Sequence, residues 1–120
     1  MLHENEVAPF IKASFPEMNI TGAIIGNENK AAYNAISALS EFMKQKSGEH
    51  DEDSVKKAMK VAETIHMRGD ARIKSGIENI FISSISAVMP YFSKSRQELQ
   101  AIIPAHLLSI YKQQKLNSDL

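Results

Sequence analysis

The chain has 120 residues, no net charge, no cysteine and a 43% hydrophobic fraction. That length and apolar content suit one domain with a real core and exclude a disordered chain. The missing thiols exclude a disulfide framework, a thiolate metal site and a cysteine nucleophile, and they point to a reducing, cytoplasmic compartment.

Charge is segregated along the chain. Residues 1–53 carry nine acids and four bases, whereas residues 54–120 carry five acids and ten bases. Packing of the two halves against each other with opposite fields is the simplest expectation, and head-to-tail self-association is the second. A basic nucleic-acid surface ranks third, because the whole chain is neutral and has no arginine cluster. The start, Met1 to Glu6, lacks the basic and apolar regions of a signal peptide. The stretch from Ile77 to Phe92 is too short and too polar to span a bilayer.

The first predicted helix covers His3 to Ser14, with Val7, Phe10 and Ile11 on its apolar side. Pro9 fits only a first turn, so a start near residue 8 is expected, and Pro16 ends the element. Residues 16–28 read as a loop with an apolar plug, Ala23 to Ile25. Gly26 is followed by Asn27 and Glu28, not by the lysine and hydroxyl of a phosphate loop. Asn29 to Lys46 is the second helix, with Ala32, Ile36, Leu39 and Met43 at helical spacing and a stop at Ser47-Gly48.

Asp51 to Arg68 is the third helix, burying Val55, Ala58, Met59, Ala62 and Ile65. Its acidic start caps free amides and offsets the helix dipole. His50 beside Glu49, Asp51, Glu52 and Asp53 is not read as a metal site, since consecutive side chains point apart. Gly69 stops this helix and Asp70 caps the next, a tight αα-hairpin. The fourth helix, Ala71 to Met89, is apolar around much of its circumference through Ile73, Ile77, Ile80, Phe81, Ile85 and Val88, and it should be central. Pro90 is expected to end it. Ser95 to Glu98 fits a capping box. A last helix follows through Leu99 and Ile103, breaks at Pro104 and resumes from Ala105 to Lys115, with residues 116–120 frayed.

The fold expected is an all-α, compact bundle of four to five helices, mostly antiparallel, with tight αα-hairpins, as a single domain over residues 1–120. No serine stands on a nucleophile elbow, and the four histidines lie in four separate contexts, without the paired spacing of a zinc helix. No catalytic, cofactor or metal residue is assigned. A helix-turn-helix reading of the third and fourth helices is disfavoured, because a recognition helix needs a polar, base-reading face and the fourth helix is the most apolar, although Arg72 and Lys74 could touch phosphate. Three candidate features remain. Lys56, Lys57 and Lys60 form a solvated basic face, and Arg72 and Lys74 add charge to the first turn of the fourth helix. His66 sits near a helix end, and Glu78 and Asn79 interrupt an apolar helix. The methionines, spread through different helices, read as core filling.

Phe15-Pro16-Glu17, Ala62-Glu63, Gly69-Asp70 and Ile77-Glu78-Asn79-Ile80-Phe81 together resemble a family of small bacterial all-α proteins of unknown function, similar to helical immunity or accessory proteins encoded beside toxins. The resemblance spans about Phe10 to Leu116, and Gly22 to Asn27 departs from it. It implies a bacterial cytoplasmic protein that binds another protein or itself and carries no catalytic residues. The function expected is therefore a non-enzymatic interaction domain with no cofactor, contacting its partner through Lys56, Lys57, Lys60, His66, Arg72, Lys74, Glu78 and Asn79. The alternatives are a weak nucleic-acid binder using the basic face and a small hydrolytic enzyme using His66.

Overall fold

A computed structural model describes residues 2–18, 28–92 and 103–118. Among these residues the chain is an all-α bundle of five helices. They are α1 (Glu4–Ser14), α2 (Glu28–Gly48), α3 (Glu52–Arg68), α4 and α5 (Ala105–Ser118), where α4 runs without a break through Ala71–Gly76, Ile77–Phe81 and Ile82–Phe92.

Helix α1 begins earlier than its proline suggests. Glu6 sends its carboxylate back to the His3 amide at 3.0 Å, which fixes the first turn. Pro9 therefore lies inside the helix, where it removes one backbone bond. Burial of the neighbouring Val7, Ala8 and Ile11 offsets that loss. After Phe15 the chain is tied down by Lys12, whose ammonium donates to the carbonyls of Pro16 and Met18, each at 2.7 Å. The expected loop plug at Ala23 to Ile25 lies outside the described residues, as do the capping box at Ser95 to Glu98 and the Leu99 start of the last helix.

Helix α2 extends through Gly48, and His50, at φ 59°, makes the left-handed step that reverses the chain. Asp51 then caps α3, its carboxylate accepting from the Ser54 amide at 3.2 Å and the Ser54 hydroxyl at 2.8 Å. The acidic run at 49–53 is thus a turn and a cap, as its spacing predicts.

The α3–α4 corner departs from the usual helix stop. Gly69 is extended (φ −78°), so it is not a left-handed terminator. Glycine is required there for room: an added Cβ would lie 2.8 Å from the Ile65 carbonyl oxygen and 2.8 Å from Ile73 Cβ. The same close approach lets Leu2 dock alongside, donating its amide to the Arg68 carbonyl at 2.6 Å. Asp70 caps α4 through the Ile73 amide at 3.0 Å.

Ile73, Ile77, Phe81, Ile82, Ile85 and Val88 are buried, whereas Ile80 is half-buried. Pro90 does not end α4, which continues to Phe92. Helix α2 shares the centre with α4, because it packs on α1, α3 and all three runs of α4. Gly76 permits this close crossing, with Ile36 Cδ1 3.0 Å and Tyr33 Cε1 3.1 Å from where its Cβ would stand. Helix α5 packs on α4 and α3, burying Leu107 and Leu108 behind Ile103, and it stays helical through Ser118 instead of fraying at 116. One core joins residues from all five helices.

Candidate functional site

The middle of α4 is not α-helical. Over Ile77–Phe81 the chain widens to a π turn, and the Ile82 amide reaches five residues back to the Ile77 carbonyl. Such single π turns occur frequently at functional sites. The two polar residues that break the apolar pattern, Glu78 and Asn79, are both in this turn.

The widened turn presents Glu78 to α3. Its Oε2 lies 2.8 Å from His66 Nε2, and His66 is buried in the last turn of α3, next to Ile65 on the apolar stripe. The other imidazole nitrogen of His66, Nδ1, lies 2.9 Å from Nε2 of His106 in the first turn of α5. The two rings are tilted by 54° with centroids 4.9 Å apart. Two further bonds hold the same corner. Glu63, one turn before His66, accepts from the His106 amide at 3.2 Å, so an acid from α3 caps the positive end of α5. Gln114, further along α5, donates its side-chain amide to the Glu78 carbonyl at 3.0 Å.

The line Glu78, His66, His106 thus runs from a half-exposed carboxylate through a buried ring to an exposed one. A carboxylate only accepts, so His66 Nε2 carries a proton and, in a neutral ring, Nδ1 is a lone pair. His106 Nε2–H then donates to it. The chemistry available is proton sharing between side chains of three elements. Metal chelation is a poorer fit, since Glu78 meets the far nitrogen of His66 and orients that ring. Among the described residues no three His, Asp or Glu groups gather around one point.

The eight candidate residues divide. The structure brings His66 and Glu78 together, and Asn79 points away, donating to the Ser75 hydroxyl at 3.0 Å on the exposed side of α4. The lysines are not one free face. Lys56 pairs with Glu52 at 3.1 Å, and Lys57 stands 4.8 Å above the Phe15 ring, which ties α3 to the end of α1. Lys60, Arg72 and Lys74 are exposed. The corner residues Met67 and Arg68 are also exposed, and Met67, at 63%, is the large apolar side chain most at odds with a core-filling role. Sequence reasoning missed His106, Glu63 and Gln114. Each is an ordinary polar residue on a helix, and only packing 36 to 43 residues apart in sequence gives it a role.

Opposite charge on the two halves is not expressed as the local ion pairs. Among the described residues Lys44–Glu41 and Lys46–Glu49 lie within the first half, and Lys56–Glu52 crosses the division only within one helix, four residues apart. An open groove of about 600 Å³ is lined by Glu17, Met18, Ala38, Glu41, Phe42, Gln45 and Lys46, none of which belongs to the histidine cluster. Among the described residues no helix is long and apolar enough to cross a membrane.

No curated protein and no solved structure matches the chain. The family model of a domain of unknown function, DUF7674, matches residues 8–117. Covering nearly the whole helical bundle, that match places the chain in the DUF7674 family.

Proposed function

We propose that this domain is a non-enzymatic protein-interaction domain of the bacterial cytoplasm, immunity-like or regulatory, and that its contact face is the α3–α4 corner. One observation carries the reading. Met67 leaves most of its side chain in water, the large apolar group most exposed among the described residues, and its neighbours Arg68, Arg72 and Lys74 are exposed cations. An adaptable apolar centre with a charged rim is the composition of an interaction hot spot. Within the corner, the Asp70 carboxylate is engaged in capping α4. The surface therefore suits an acidic protein partner, or the acidic first half of a second copy.

Pull-down from the native host with the wild-type chain and with Met67→Asp and Arg68→Glu tests this. A stoichiometric acidic protein, or the chain itself, should be recovered by the wild type at low and moderate salt and lost with either variant. Recovery of no stoichiometric partner refutes the reading. A nucleic-acid reading of the same cations requires a gel shift at low salt that falls steeply as salt rises.

A second reading has its own support. The Glu78–His66–His106 line resembles a carboxylate-oriented imidazole poised for general base catalysis, with His106 Nδ1 as the outward atom. It is the observation that favours a hydrolytic enzyme using His66. Loss of a measured hydrolytic activity in His106→Gln, with the fold retained, is its test.

A further inference from the structure

The contact between His66 and His106 has a property that neither ring has alone. Their facing nitrogens are 2.9 Å apart, so one proton must lie between them. A neutral pair meets this condition with Nε2–H of His106 donating. A singly charged pair also meets it, because the added proton goes to the outward Nδ1 of His106. A doubly charged pair does not, since His66 Nδ1–H would then face His106 Nε2–H, two donors with no acceptor. The docked pair therefore holds at most one positive charge, whereas two separated rings hold two.

This contact is part of what fastens α5. Its other fastenings include the Gln114 bond to the Glu78 carbonyl, the Glu63 bond to the His106 amide, the buried Ile103, Leu107 and Leu108, and the partly buried Ile110 and Tyr111. The charged and titratable groups shown in contact with the pair are Glu78 from α4 and Glu63 from α3, while α5 contributes His106 itself. Glu78 accepts from the His66 ring and Glu63 from the His106 backbone amide. Neither relieves the facing of two N–H groups that the second charge creates.

We infer that α5 is a pH-sensitive latch, held to α3 and α4 by a proton shared between His66 and His106 and released when both rings become charged. The sign follows from proton counting. The released state binds one proton more than the docked state, so docking is favoured at neutral pH and weakens as pH falls through the range where imidazoles charge. Each unit of pH below that range should shift the docking equilibrium about tenfold towards release. Release uncovers the buried ring of His66 and the apolar side of α5, the surface on which a pH-dependent partner would act. The latch is independent of the contact face at Met67, and its test involves no partner.

Hydrogen exchange on the full chain, corrected for intrinsic rates, measures it between about pH 7.5 and about pH 5. In the wild type, amides of α5 should lose protection, about tenfold per unit at the acid end, while those of α2 keep theirs. His106→Gln retains a side-chain donor towards His66 Nδ1 but cannot charge, and its α5 should stay protected. Flat protection of α5 in the wild type overturns the inference, as does parallel loss in α2, which would be global unfolding, or an unchanged pH response in His106→Gln. Should that variant fail to fold, nitrogen NMR of the wild-type imidazoles decides. A coupling across the hydrogen bond between His66 Nδ1 and His106 Nε2 is expected at neutral pH and should vanish together with α5 protection. Its absence at neutral pH also overturns the inference.

Discussion

Replacing Gly69 by alanine sets two effects of opposite sign against each other, and the structure says which wins. Gly69 is in extended backbone that alanine adopts freely. On backbone grounds alone, Gly69→Ala should stabilise by about 0.4–1 kcal/mol, through the reduced entropy of the unfolded chain. The new methyl, however, would stand 2.8 Å from the Ile65 carbonyl oxygen and 2.8 Å from Ile73 Cβ. Neither can yield cheaply. The carbonyl accepts the Gly69 amide at 2.8 Å, and Ile73 is 1% exposed in the core. Overpacking of this kind costs about 1–3 kcal/mol. The net expectation is a loss of about 1–2 kcal/mol, or roughly 4–8 °C in Tm at about 4 °C per kcal/mol for a chain of this size. Gly48→Ala is the matched control, since its added methyl meets nothing within 4 Å in the last turn of α2. It should gain about 0.5 kcal/mol. Thermal and urea unfolding followed by helical circular dichroism measures both. If Gly69→Ala raises Tm as Gly48→Ala does, the close corner and the docking of Leu2 on it are wrong.

The Ser47 hydroxyl is fully buried with no hydrogen-bond partner among the described residues. Ser47→Ala should therefore stabilise, by about 1 kcal/mol in urea titration, since an unpaired buried polar group is removed. The Asp51 carboxyl is held below the usual carboxylate range, chiefly by the Ser54 hydroxyl, then by the Ser54 amide, with Lys46 adding a smaller effect. A carboxylate lowered on folding contributes stability above its unfolded value and loses it as pH falls through the folded one. Asp51→Ala should thus lower Tm at neutral pH and make little difference in strong acid, and an equal Tm loss at both pH values would contradict the capping role.

The helices of the bundle and most of the core were legible in the order of residues alone. The reason is local: a stripe at 3.6-residue spacing, such as Val55, Ala58, Met59, Ala62 and Ile65, has one way to hide. Caps were legible for the same reason, because Asp51 and Asp70 bond amides three residues on. The prolines misled. Whether Pro9 breaks a helix depends on whether burial of Val7 and Ile11 outweighs one missing bond, and that is a tertiary quantity.

Only the folded chain decided the rest. The π turn at 77–81 leaves no periodic signal, yet it presents Glu78 to His66. His106 joins them across forty residues of chain, and no spacing rule reaches so far. Gly69 stops the third helix as its sequence position suggests, but it is also a space-saving residue, because its neighbours come from both flanking helices. Periodicity records which way a side chain faces. Which partner it meets there is set by how the helices cross.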